Sequence, residues 1–204
     1  MNKWILMATG LSLMMYSCKL ADDETEDHGN NGTVDEKSKS EAQKAYNLIN
    51  DIRKDPSAYS SQMGVDLSGV QARNALNWDD ALAKVAQEKA EDMANNNYFS
   101  HTDLNGYGVN YFMYEAGYDI PESWRKNKSD NYFENIAAGN STAEATIKQL
   151  VYDGGADNSS AGHRASLLGI SNWCSNCTDI GIGFAYNDKS TYKYYWSIII
   201  AKHK

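Results

Sequence analysis

"DIGIGFAYNDKSTYKYYWSIIIA", residues 179–201, is the stretch on which the fold turns. Ile180, Ile182 and Phe184 alternate with small residues, the period of a half-buried strand. "NDKS" at 187–190 supplies a turn, and residues 191–201 form a second run rich in β-branched and aromatic side chains. Together they predict an antiparallel hairpin near the C-terminus. The "GIG" at 181–183 has no following GxGxxG pattern and helix, so it is no dinucleotide loop. Glycines inside a strand instead allow another element to approach the backbone closely.

Upstream of the hairpin the period is helical. "SEAQ" at 40–43 has the form of a capping box, and Ala45, Leu48, Ile49 and Ile52 recur at helical spacing until Asp55–Pro56 stops them. Residues 57–76 read as loop and short helical pieces. Asn77 then stands as a cap before a stripe of Trp78, Leu82, Val85, Ala86, Ala90 and Met93, with Lys84, Glu88 and Glu91 facing away. "VNYFMYEAGY" reads as a helix closed by Gly117. "STAE" at 141–144 is a second capping box, serving Ala143, Ile147, Leu150 and Val151, and "AGHRASLLG" is a short helix ending at Gly169. Helices first and a hairpin last give an α+β domain, with helices packed on a small, largely antiparallel sheet.

The N-terminal segment belongs to export rather than to this domain. Residues 1–17 join a basic start to an apolar run too short to span a bilayer, as in a signal peptide. The "SC" at 17–18 resembles a lipobox, which implies a lipidated Cys18; an ordinary signal peptide that happens to contain a cysteine is the competing reading. Residues 18–40 form a polar tether, with seven acids and three lysines in 19–40 and almost nothing to bury. Its acidic run "DDETED" resembles the export signals of some surface-exposed bacterial lipoproteins, which implies the outer-membrane surface; a solvated spacer is the alternative. The domain spans 41–204.

The formal charge of −8 excludes nucleic acid as an expected partner, because no basic stripe is present to neutralise phosphates. Beyond Cys18 only Cys174 and Cys177 remain, in "WCSNC" just before a strand. A redox motif needs a helix N-terminus after a strand to stabilise the thiolate, so a local bridge or two free thiols is the expectation.

Of four histidines, His28 lies in the tether and His203 is penultimate and read as solvated. His101, in "YFSHTDLNG", and His163, in "SSAGHRASLLG", sit at turn or helix starts beside small residues, where functional groups tend to be carried. Considered alone, each reads first as a hydrogen-bonded structural histidine rather than a ligand. Glu134 lies between Phe133 and Asn135–Ile136, either exposed by alternation or held against a partner.

Taken in order, "LNWDDALAKVAQEKAEDMANNNYFSHTDLNG", "ENIAAG", "GHRASLLG", "IGIGFAY" and "YYWSIIIAK" resemble the CAP superfamily of cysteine-rich secretory proteins, antigen 5 and pathogenesis-related 1, also called SCP-like extracellular proteins. The likeness covers the chain from about residue 41 to its end and is strongest to the bacterial branch. It implies an α-β-α sandwich with a cleft lined by two histidines and two acids: His101 in "FSH", Glu134 in "EN" and His163 in "GHR". The second acid is the one that closes "QLVYD", where Leu150 stands in place of the usual tryptophan; Asp153 takes the position, with Asp103 as runner-up.

Such a tetrad has a chemistry of its own. Two neutral imidazoles, His101 and His163, can hold a divalent metal, most plausibly zinc, and a carboxylate on each would fix its tautomer. Two functions compete. One is a lipid-tethered binding or interaction module for an envelope, host or small apolar ligand. The other is a metal-assisted hydrolase using His101, Glu134, Asp153 and His163. A redox protein built on Cys174 and Cys177 is a distant third.

Overall fold

A computed structural model describes residues 31–160 and 162–204. The segment 1–17, Cys18 and the acidic run of the tether lie outside the described residues.

Among the described residues there are six α-helices and four strands. They are α1 (Asn31–Lys54), α2 (Ser60–Met63), β1 (Asn77–Trp78), α3 (Asp80–Asn95), α4 (Val109–Glu115), β2 (Glu134–Ala138), α5 (Ala143–Tyr152), α6 (Gly162–Leu168), β3 (Asp179–Tyr186) and β4 (Tyr194–Ala201). The sheet order is β1-β3-β4-β2. The β3–β4 hairpin and the β2–β4 pair are antiparallel, and only the two-residue β1 runs parallel to its neighbour. This is the expected α+β architecture.

The two faces of β3 explain the layers. Ile180, Ile182 and Phe184 are buried on one face. On the other, a Cβ at Gly181 would lie 2.2 Å from Leu82 C, and one at Gly183 would lie 2.2 Å from Ala86 C. The backbone of α3 therefore rests directly on the glycines. Helix α1 covers β3 and packs against α5 and α6, completing the second helical layer. Past Trp78, where β1 ends, the α3 side chain Gln87 takes over the edge of β3. Its Nε2 donates to Phe184 O (3.1 Å) and its Oε1 accepts from Phe184 N (3.1 Å), blunting an otherwise open edge.

Three local expectations are corrected. Helix α1 begins at Asn31, so Ser40 and Gln43 lie inside it and the segment read as a tether through residue 40 is helical from residue 31. The buried Ser38 and Glu41 account for this: the Glu41 carboxylate accepts the Ala143 N–H at the start of α5 (2.7 Å), and that contact holds the turn in helix over the local capping signal. Asn77 is not a cap but part of β1. The cap of α3 is Asp79, which accepts from Leu82 N at 2.9 Å. The cap of α5 is Thr142 rather than Ser141.

Candidate functional site

The site lies above β2, where the loop after α3 meets the end of α5 and the start of α6. A cleft of about 570 Å³ is lined by Phe99, His101, Thr102, Ile136, Leu150, Asp153 and His163, among others. The two histidines come from opposite walls, and each is held by a carboxylate.

On one wall, His101 Nδ1 lies 3.0 Å from Glu134 Oε2. Glu134 opens β2, whose start is shaped by Asn131: its side-chain oxygen accepts the Glu134 N–H at 3.1 Å. The Glu134 side chain is fully buried, and its other oxygen accepts from Ser197 Oγ on β4 at 2.9 Å. Of the two readings of this glutamate, the structure selects the one in which it is held against partners. Next along the strand, Asn135 Nδ2 donates to Ile198 O (3.2 Å) and Ser166 Oγ (2.9 Å), tying β2 to β4 and α6.

On the other wall, His163 Nδ1 lies 2.8 Å from Asp153 Oδ1. Asp153 ends α5 in the left-handed region (φ 48°), which a short polar side chain tolerates. The reversal, continued by Gly154 and Gly155, aims its carboxylate at the first turn of α6, where Oδ2 accepts the N–H groups of His163 (2.9 Å) and Arg164 (3.4 Å). Arg164 locks the corner. Fully buried, it donates to Val151 O (2.6 Å), Tyr152 O (2.8 Å), Ala156 O (2.8 Å) and Asn158 Oδ1 (2.9 Å).

With Nδ1 of each neutral ring donating to a carboxylate, Nε2 carries the lone pair. The imidazoles are part-exposed, at 47% and 40% for His101 and His163, while their acids are covered. Burial pushes the Asp153 carboxyl upward, but the His163 hydrogen bond and charge and the two backbone N–H groups outweigh it and hold it below the usual carboxylate range. A depressed folded-state pKa adds stability that is present above the unfolded value of about 3.9 and is lost as pH falls through the folded one. The difference in urea midpoint between the wild type and Asp153→Asn is therefore expected to be present at pH 6 and to shrink below about pH 4. A gap that does not change with pH would show that the ionised carboxylate is not what holds this corner.

Asp103, the runner-up acid, is not in this cleft. Its Oδ1 accepts from Asn105 N and Tyr107 N in a turn, and the residue lines a separate cavity of about 210 Å³ with Lys89 and Asp92. Lys89 was missed. It is buried, hydrogen-bonded to Tyr98 Oη (3.1 Å), and its ammonium pKa is lowered by burial against the opposing pull of Glu134, Asp92 and Asp103. It falls on the apolar stripe of α3 between Val85 and Met93, and that spacing was the available signal.

His203, read as solvated, is exposed; one side of its ring stacks on Tyr118 (4.3 Å between ring centroids), and it lies 3.4 Å from Asp179 Oδ2, which also accepts from Tyr118 Oη (2.7 Å). Cys174 and Cys177 carry free thiols. Burial, and next the charge of Cys174, pushes the Cys177 thiol up to about 11, the reverse of what a redox nucleophile needs.

The donor set for a metal is short. Among the described residues no three His, Cys, Asp or Glu side chains stand close enough to share an ion. Two imidazoles facing one cleft can still hold a cation whose remaining positions are filled by water or ligand oxygen.

An α+β sandwich with two carboxylate-held histidines across one cleft defines a class of domain, and the comparisons place the chain in it. The model of the CAP, or cysteine-rich secretory protein, family matches residues 46–200, and the chain belongs to that family. No curated protein matches it. An extracellular protein containing a SCP domain from Bacillus anthracis is similar at 23% identity with a TM-score of 0.54; the match covers 84% of this chain and 44% of that one. This chain thus spans less than half of that protein's length. An outer surface protein from Borrelia burgdorferi is similar at 21% identity with a TM-score of 0.52, over 81% of this chain and 95% of that one. At these identities the likeness speaks to the fold.

Proposed function

We propose that this protein is an exported binding or interaction module, tethered to the bacterial envelope through a lipidated Cys18, whose histidine cleft receives an envelope, host or small apolar ligand. One observation carries the preference for binding over turnover. Among the described residues the hydroxyls lining the cleft, Ser100 and Thr102, hydrogen-bond each other (3.3 Å) rather than an imidazole, which speaks against a histidine-activated serine or threonine and leaves water as the nucleophile that a hydrolysis assay must detect. Phe99, Ile136 and Leu150 offer apolar walls, while His101 and His163 offer polar ends, the lining of a site for an amphipathic ligand. The extracellular and outer-surface settings named for the two structural relatives agree with export.

A divalent cation in the cleft belongs to the same proposal. A zinc ion would be held by the Nε2 atoms of His101 and His163 and would supply a Lewis acid for an anionic group of the ligand. The chain's own part is to orient both rings through Glu134 and Asp153.

The test joins both parts. The purified protein is expected to show no His163-dependent hydrolysis of peptide, glycan or ester substrates, and a zinc titration is expected to lose its heat in His101→Ala. Turnover that disappears in His163→Ala would replace binding with metal-assisted hydrolysis. Identical zinc titrations of the wild type and His101→Ala would remove the metal.

A further inference from the structure

Away from the histidine cleft, three separate segments bring aromatic rings to one place and a fourth brings a lysine. Trp124 comes from the turn 122–124, Tyr132 and Phe133 precede β2, Trp173 precedes the turn 174–176, and Lys202 follows β4. Phe133 is buried and serves as a floor, with Trp173 stacked on it (centroids 5.8 Å apart, planes 25°). Trp124 meets Trp173 edge-on (5.1 Å, 63°), and Tyr132 stands nearly perpendicular to it (6.3 Å, 80°). Trp124, Tyr132 and Trp173 line an open hollow of about 440 Å³, and Tyr132 and Trp173 keep 46% and 38% of their surface in water. None of these residues lines the histidine cleft.

Lys202 gives the hollow its chemistry. Its Nζ lies 4.2 Å from the Trp173 ring centroid and 5.5 Å from that of Trp124. Among the described residues no carboxylate pairs with it. The ring faces hold the ammonium by their quadrupoles and leave its N–H donors free. In a chain of net charge −8, this is a cation set in an aromatic cup with its hydrogen-bonding capacity unused. A second cation would be repelled by it. An acyl chain calls for a deep apolar channel rather than a shallow cup with walls near right angles. A rigid ring with one apolar face and one anionic group meets both features: polarised C–H groups lie on the indole faces, and the anion meets the ammonium.

We infer that the Trp124–Tyr132–Trp173 cup with Lys202 is a binding site for an acidic sugar residue of the uronate type. The pyranose face stacks on the rings, and the carboxylate accepts from Lys202 Nζ. Binding here does not rest on the reading of the histidine cleft.

The test is tryptophan fluorescence of the full chain titrated with tetragalacturonate, and with cellotetraose as the neutral comparison. The acidic sugar is expected to give a saturable change. Trp173→Ala is expected to weaken it by about tenfold or more, and Lys202→Gln to abolish the preference for the acidic over the neutral sugar. Tyr132→Ala serves the same purpose if Trp173→Ala loses its far-UV circular dichroism. The inference is overturned by no saturable change up to millimolar tetragalacturonate, by equal binding of cellotetraose to the wild type, by tetragalacturonate binding that survives both aromatic substitutions, or by binding of phosphatidylcholine vesicles in place of the sugar.

Discussion

Gly183→Ala is expected to destabilise the protein by about 3 kcal/mol or more, at or beyond the upper end of what overpacking costs. The new methyl carbon would sit 2.2 Å from Ala86 C and O and 2.4 Å from Gln87 N. These are backbone atoms in the middle of α3, with no flexible side chain to move aside. Relief requires the helix to lift off β3, and Leu82, Val85 and Ala86 are all buried in the same core. Against a total stability of about 5–15 kcal/mol, such a loss is large. Gly69→Ala is the matched control: nothing lies within 4 Å of its added carbon, and it should shift stability by about 0.5 kcal/mol at most. Urea unfolding of the two variants decides the matter. A Gly183→Ala midpoint within error of the Gly69→Ala one would mean that the helix does not rest on the strand as described.

Arg164→Ala is expected to cost about 3 kcal/mol, because it unmakes four hydrogen bonds from a fully buried charged side chain and leaves the buried Val151 O without a partner. The guanidinium satisfies three carbonyls and one side-chain oxygen around the end of α5; its bond to Val151 O is buried and the other three are part-buried. Arg164→Lys should recover only part of the loss, since one ammonium cannot reproduce the planar fork. The damage should extend to the cleft, because Asp153 ends α5 at the same corner. The imidazole NMR signals of His163 are expected to change position and those of His101, which stands on the opposite wall, to stay put. Equal displacement of both would show that the walls are mechanically coupled.

Much of this arrangement was legible in the residues because the patterns were local. The alternation of Ile180, Ile182 and Phe184 marked β3, and the stripe of Leu82, Val85, Ala86, Ala90 and Met93 marked α3. The glycines of "GIG" were readable as a place of close approach, although not which helix would use it. Strand β2 lacked a signal because Glu134, Asn135, Ile136 and Ala137 are all buried, so no period of two survives in the sequence. The start of α1 was misplaced because a good local cap at Ser40 competes with a tertiary contact from Glu41 to α5, 102 residues away. In the site, the likeness to the family supplied His101, Glu134, Asp153 and His163, and the geometry pairs them as imidazole with acid. Ser197 beneath Glu134, and Lys89 with Tyr98 beside it, depend on side chains from distant segments sharing one interior, which spacing does not encode.

The two histidine–acid pairs also differ in how far along the chain they reach. Asp153 and His163 are ten residues apart, so a single turn of the backbone brings them together. His101 and Glu134 are separated by 33 residues, and Glu134 and Ser197 by 63. Closing longer loops costs more entropy before any contact rewards it, and contacts of high sequence separation are the slow ones in folding. The histidine–acid contact of one wall is thus local in sequence, whereas the other wall waits for β4 to pair with β2. In a chain released N-terminus first, the wall that carries Glu134 lacks its β4 partner until residues 194–201 emerge, and the last strand is the piece that completes the cleft.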